Sequence, residues 1–178
     1  MSRFTFAISI LVAVVSVVAF TACSGGDDSP LSEDEYFDTL GELASPSDVA
    51  AEVAESAGEA PDDPVLLSEW LDASSLISFR AMIDAHSDYI EELEAMRPPD
   101  TLRDVHALYL SATRASLPMM EEFLVYQERI DQDEDISDET FESWQAVGVQ
   151  FNDACNALED AAIEASVSFD LGCLDNYP

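Results

Sequence analysis

The feature that most constrains the fold is the spacing of apolar side chains along three long stretches, at about 64–96, 100–130 and 138–166. In each stretch they recur every three or four residues, which places them on one face of an α-helix. The residues on this inner face are, for the three stretches in order, Leu76, Phe79, Ile83, His86, Ile90 and Leu93; Leu102, His106, Tyr109, Thr113, Met120, Phe123 and Ile130; and Phe141, Trp144, Gly148, Phe151, Cys155, Leu158, Ala162 and Ala165. The sequence therefore predicts an all-α fold, an antiparallel up-and-down bundle of about four helices.

Residues that start or stop helices divide the chain further. The start signals are Ser32 with Glu35, Ser45 with Pro46, Asp63 with Pro64, and Ser137, and the stop signals are Gly58 and Pro98-Pro99. They add two short N-terminal helices to the three long ones. Pro118 lies inside the second long stretch, and we expect it to kink or break that helix because proline lacks an N–H and clashes with the preceding turn.

The composition combines a foldable core with an extreme charge. Apolar types make up 48% of the 178 residues, which is too many for a disordered acidic tail. The chain has 38 acidic residues and six Arg but no Lys, giving a net charge of −32. Such a charge argues against binding to nucleic acid, which needs a cationic patch. The acidity has two open explanations: adaptation to high salt, or an Arg-favouring genome together with the ordinary acidity of exported proteins.

The N-terminus has the pattern of an export signal. A cationic start, Met1-Ser2-Arg3, precedes an uncharged run from Phe4 to Phe20 and then small residues. Phe20-Thr21-Ala22-Cys23 resembles the lipobox of bacterial lipoproteins. The alternative is an uncleaved anchor, for which the apolar run is marginal because a span needs about 20 residues.

The lipobox resemblance implies cleavage before Cys23 and lipidation of that residue. It divides the chain into a signal peptide (1–22), a lipidated Cys with a flexible acidic tether (23–30), and a helical-bundle domain (31–178). The implied partner is a lipid bilayer, reached through the N-terminal acyl chains outside the cytoplasm. That bilayer is the cell membrane, or an outer membrane where the cell has one, with which Ser24 is compatible.

Cys155 and Cys173 form an even pair once Cys23 is lipidated, in an oxidising compartment. From Cys155 a helix ending near Ser166 climbs about 16 Å. The seven residues from Val167 to Cys173 can return about 23 Å. We therefore expect a disulfide that ties the C-terminal tail to the last helix. Free thiols, or a redox or metal site, are the alternatives.

An acidic stretch between the last two long helices resembles the calcium loop of EF-hands. Asp131, Asp133, Asp135 and Glu142 stand at loop positions 1, 3, 5 and 12, where oxygen ligands suit calcium. Ile136 takes the place of the usual glycine, and Asp138 that of an apolar residue. The alternative is a solvated acidic connection in which Ser137 caps the last helix.

The histidines, His86 and His106, fall on apolar faces of neighbouring helices. With the nearby Met96, Met119 and Met120 they offer ligands for copper or zinc. No Glu-x-x-His or His-x-x-x-His spacing accompanies them. The alternative is a pair of core histidines bonded to partners such as Thr113 or Tyr109.

Trp144 and Gly148 share a helix face and leave room for a groove that binds a small apolar ligand. Close helix packing, or space for the tail, explains them equally. The chain has no Gly-x-Ser-x-Gly turn and no phosphate-binding glycine loop, so we predict no catalytic residues and no enzyme. The sequence favours a lipoprotein that binds a protein partner or small ligand, with cation binding as the alternative.

Overall fold

The structure, a computed structural model, describes residues 29–56, 58, 60–61, 63–127 and 136–173. This part of the chain contains five helices and no strand: α1 (Glu33–Glu42), α2 (Pro46–Ser56), α3 (Pro64–Ala95), α4 (Arg103–Gln127) and α5 (Asp138–Glu164). The all-α prediction is confirmed, and the long helices follow the predicted stretches closely. None of the described helices is both long and apolar enough to cross a membrane.

Side chains at the predicted positions cap the helix starts. Ser32 Oγ accepts from the Glu35 N–H, and the Glu35 carboxylate accepts from the Ser32 N–H at 2.9 Å. This backbone bond lowers the pKa of Glu35. Asp63 Oδ1 accepts from the Val65 N–H at 2.9 Å, and Ser137 caps α5. Each such cap contributes on the order of 1 kcal/mol.

Helix α4 runs through Pro118 without a break. The proline removes one backbone hydrogen bond, but its own side chain is exposed. Ser116 and Met120, on either side, are buried in the bundle. The predicted break is therefore wrong, and packing of these flanking residues keeps the helix continuous.

Helix α2 and the three long helices form the up-and-down bundle. In it α2 packs on α3, α3 on α4, and α4 on α5. Helix α1 lies across the end where α3 turns into α4. The Leu31 N–H donates to the Arg97 carbonyl at 2.9 Å, and the Thr101 hydroxyl donates to the Glu33 carboxylate at 2.6 Å.

The tightest part of the core lies where α1 packs on the bundle. Large apolar side chains that are at most 2% exposed there are Tyr36, Phe37, Leu40, Leu93 and Leu158. Burying each one stabilises the fold by about 1.5–3 kcal/mol. This end of the bundle, defined by those five residues, is called the closed end below.

After α5 the chain reverses through a Schellman turn. The Val167 N–H donates to the Ala162 carbonyl at 2.9 Å, and the Ser166 N–H donates to the Ile163 carbonyl at 3.0 Å. Ser166 has a φ of 62°, in the left-handed region where glycine is usual. The reversal directs the following residues back along α5.

The returning segment, residues 165–173, is fixed to α5 at its far end. A Cys155–Cys173 disulfide joins the two, with 5.8 Å between the Cα atoms. One oxygen of Glu159 also accepts a hydrogen bond from the Leu171 N–H at 2.7 Å. The predicted disulfide is confirmed, and chain entropy assigns it roughly 3 kcal/mol.

Candidate ligand-binding groove

An apolar groove of about 1100 Å³ runs along the bundle. Among the described helices, α3 and α5 both pack against α4 but not closely against each other, which leaves α4 as the floor. Apolar side chains dominate the walls, among them Phe79, Met82, Met119, Phe123, Trp144 and Phe151. The volume lies slightly above the range of ordinary ligand sites, which is about 300–1000 Å³.

Aromatic rings pack edge to face at the groove end farthest from α1. Phe123 lies 5.3 Å from Phe79 and 5.4 Å from Trp144, measured between ring centroids. Trp144 Nε1 donates to the Glu122 carboxylate at 2.8 Å, which fixes the indole. Trp144 and Gly148 both line the groove, as the groove interpretation of their spacing predicts. Phe141, expected on the inner line of α5, is instead 58% exposed at the edge of the groove.

His86 is the titratable ring in the groove wall. Its Nε2 lies 2.9 Å from the Thr113 carbonyl oxygen and 2.8 Å from Ser116 Oγ. Because a carbonyl only accepts, Nε2 carries the proton and Nδ1 of the neutral ring is the acceptor. Burial lowers the pKa of His86, so the neutral ring is the stable form near pH 7.

Ser116 is close to an imidazole but is not activated by it. Its hydroxyl donates to the Thr113 carbonyl at 2.8 Å, and Nε2 of His86 is already protonated. A serine nucleophile needs an unprotonated nitrogen to take its proton. The Ser116–His86 pair is therefore arranged as a structural hydrogen-bond network.

Two tyrosines add hydroxyl groups to the groove wall. Tyr89 and Tyr109 lie with their oxygens 3.2 Å apart, and burial raises the pKa of both. Both line the groove, and each remains a neutral phenol. The polar groups deep in the groove are thus few, uncharged and largely bonded to one another.

His106 belongs to the closed end and does not line the groove. Its Nδ1 lies 3.0 Å from the Tyr36 hydroxyl, and burial lowers its pKa although a hydrogen bond to the Leu93 carbonyl opposes the shift. In the part of the chain that the structure describes, neither histidine joins a group of three His, Cys, Asp or Glu side chains able to share a metal ion. His86 bonds to the Thr113 carbonyl, as the core-histidine interpretation predicts.

The other predicted site residues are only partly described. Cys23, Asp131, Asp133 and Asp135 lie outside the described residues, and Glu142 is exposed near the start of α5. The lipidation and calcium hypotheses therefore stay predictions.

Cys155, Glu159 and Cys173 lie close enough together to suggest a metal site. The two cysteines are joined as a disulfide and offer no thiolate ligand. Glu159 accepts hydrogen bonds from the returning segment. This group is therefore structural.

The sequence patterns missed several groove residues. Tyr89 and Ser116 each lie three residues after a predicted inner residue, so wider helix faces would have included them. Phe169 and Leu171 also line the groove, and they carry no helical pattern that could have marked them. Their position follows from the chain reversal after α5 together with the disulfide.

Comparison of this chain with protein families, with curated proteins and with solved structures found no match. What the protein does must therefore be inferred from its own residues and their geometry.

Proposed function

We propose that this protein is a membrane-anchored extracytoplasmic lipoprotein whose helical bundle binds an apolar small molecule. The observation that carries the binding proposal is the groove along α4, with its aromatic and methionine walls. Burial of apolar ligand surface contributes roughly 25 cal/mol per Å² before the costs of association.

The few polar groups support a ligand that is held mainly by apolar contact. Tyr89 and Tyr109 bond to each other, and Nε2 of His86 is occupied by the Thr113 carbonyl. In the neutral imidazole Nδ1 is the acceptor nitrogen. Methionines such as Met82 and Met119 adapt their shape to different apolar molecules.

The lipobox residues, ending at Cys23, support the anchoring proposal. The Cys155–Cys173 disulfide supports an oxidising compartment outside the cytoplasm. Mass spectrometry of the native N-terminus tests the anchor. The expected result is an acylated Cys23 as the first residue, and an intact leader would contradict it.

Tryptophan fluorescence tests ligand binding. The chain has two tryptophans, and Trp144 lines the groove whereas Trp70 does not. In Trp70→Phe, a naphthylamine dye that is bright in apolar surroundings should quench Trp144 in a saturable way. In Trp144→Phe the remaining tryptophan should respond weakly.

A pair of apolar truncations locates the dye. Phe123→Ala should weaken binding about tenfold, since it removes a large groove contact. Leu108→Ala, on the same helix but 46% exposed and away from the groove, is the matched control. Equal affinity in both variants, or no saturable signal in the parent, would contradict the proposal.

The calcium hypothesis for residues 131–142 remains the alternative function. Millimolar calcium should raise the melting temperature of the parent by stabilising the ligand-bound fold. The increase should vanish in Asp131→Ala and Glu142→Ala. An unchanged melting temperature in the parent would remove the hypothesis.

A further inference from the structure

The charged groups that line the groove are all acidic. Asp48 and Asp170 are its ionisable carboxylates, and no arginine lines it among the described residues. Both aspartates are exposed, so they lie at the mouth of the groove and not at its floor. The charge of the lining therefore has one sign.

The two carboxylates lie at the same end. Asp48 is in the first turn of α2, just after the junction with α1, and Asp170 is in the returning segment. That segment lies against α1, because Phe169 packs on Phe37 with 5.1 Å between ring centroids. A Cβ built on Gly41 would also lie 3.7 Å from Phe169 Cε2. The contact joins the second half of α1, which leads into α2, to the returning segment.

This end has the chemistry that holds organic cations. Phe169 lines the groove next to Asp170 in the chain, and Asp48 lines the same groove. Aromatic rings and carboxylates both attract ammonium groups. Asp170 Oδ1 accepts one hydrogen bond, from the Gly172 N–H at 2.7 Å. The chain as a whole, at −32, repels anions and attracts cations.

We infer that the groove takes a cationic amphiphile, an inference that rests on the binding function proposed above. The ammonium head lies between Asp48 and Asp170, and the apolar chain runs along α4 toward Phe123 and Trp144. Fatty acids are poor ligands, because their carboxylate would meet two like charges at the mouth or lose its hydration among apolar side chains.

Three ligands with the same chain test the inference: decyltrimethylammonium, decanol and decanoate. The two ions are used below their micelle-forming concentrations and decanol below its solubility limit. Competition against the naphthylamine dye in the full chain gives their affinities. An exposed ion pair changes affinity by about twofold to fivefold, so two carboxylates should favour the cation over the alcohol about tenfold. Decanoate should bind most weakly, and high salt should narrow the differences.

Isosteric variants assign the preference to the two carboxylates. Asp48→Asn with Asp170→Asn should reduce binding of the cation about tenfold and leave decanol unchanged. Glu91→Gln with Asp104→Asn, both exposed and away from the groove, makes the same change in net charge and is the control. This control should leave the order of the affinities for the three ligands unchanged.

The outcomes separate the two proposals. Binding of the dye and decanol with no preference for the cation, or a preference that survives Asp48→Asn with Asp170→Asn, would overturn the cationic ligand and leave the groove as a binding site. Failure of the dye and all three ligands to bind would overturn the binding function itself.

Discussion

The two ends of the bundle use similar side chains for opposite purposes. At the closed end, Phe37 is 1% exposed, whereas Phe141 at the other end is 58% exposed. The difference lies in what covers them. Helix α1 and the returning segment cover the closed end, and no described element covers the aromatic rings at the other. Apolar side chains alone therefore do not define a core; the connections that lie over them do.

Truncating one phenylalanine at each end should change the free energy of unfolding by very different amounts. Phe37→Ala should lower the free energy of unfolding by about 3–5 kcal/mol, because it leaves a cavity under α1. Phe141→Ala should lower it by less than about 1 kcal/mol, because its ring is already largely hydrated. Urea unfolding measures both. Similar losses would mean that the two ends are equally packed.

Removing the disulfide should weaken the cover of the closed end. In Cys155→Ala with Cys173→Ala, the free energy of unfolding should fall by roughly 3 kcal/mol through chain entropy. Phe169 should also leave Phe37, so dye binding should weaken. Reduction of the parent chain with dithiothreitol is the matched control and should give the same losses. Unchanged stability and binding in both would show that the segment stays in place without the bond.

The sequence was most informative where one local signal decides the structure. The apolar spacing along α3 and the caps at Ser32 and Asp63 are signals that depend on residues within one or two helical turns. The structure has the helix and both caps where these signals predict them. Pro118 shows the reverse case, since packing from other helices outweighs the local signal. The groove could be foreseen only as an alternative at Trp144. It depends on how far apart α3 and α5 lie, which no local pattern encodes.

The two histidines, one in the groove wall and one at the closed end, should make the free energy of unfolding depend on pH. Burial lowers the pKa of both His86 and His106 below the ordinary value of 6.5. The unfolded chain therefore binds protons first as the pH falls below 6.5, and the free energy of unfolding should decrease there. Well above pH 6.5, where the rings are neutral in the unfolded chain too, they should contribute no pH dependence.

Stability measured between pH 7 and the onset of carboxyl titration checks the histidine effect. His86→Gln and His106→Gln should each flatten the slope. NMR titration of the parent should show that a bound dye shifts the His86 ring, in the groove wall, more than the His106 ring. Equal shifts would contradict the assignment of His86 to the groove.

The smallest expected effect concerns the turn that starts the returning segment. Ser166→Gly should raise the free energy of unfolding by about 0.5–1 kcal/mol, because glycine adopts the positive φ of 62° without a Cβ clash. Ser168→Gly, at an exposed position of the same segment with an ordinary backbone, should be neutral or slightly destabilising. Urea unfolding distinguishes the two.

The buried phenols give the molecule an internal indicator of alkaline denaturation. Burial raises the pKa of Tyr36, Tyr89 and Tyr109 above the ordinary value of 10.0. These rings withhold their protons until the helices separate, so above pH 10 each proton released favours the unfolded chain. The ultraviolet absorbance of their phenolate form should therefore appear cooperatively, as the bundle comes apart.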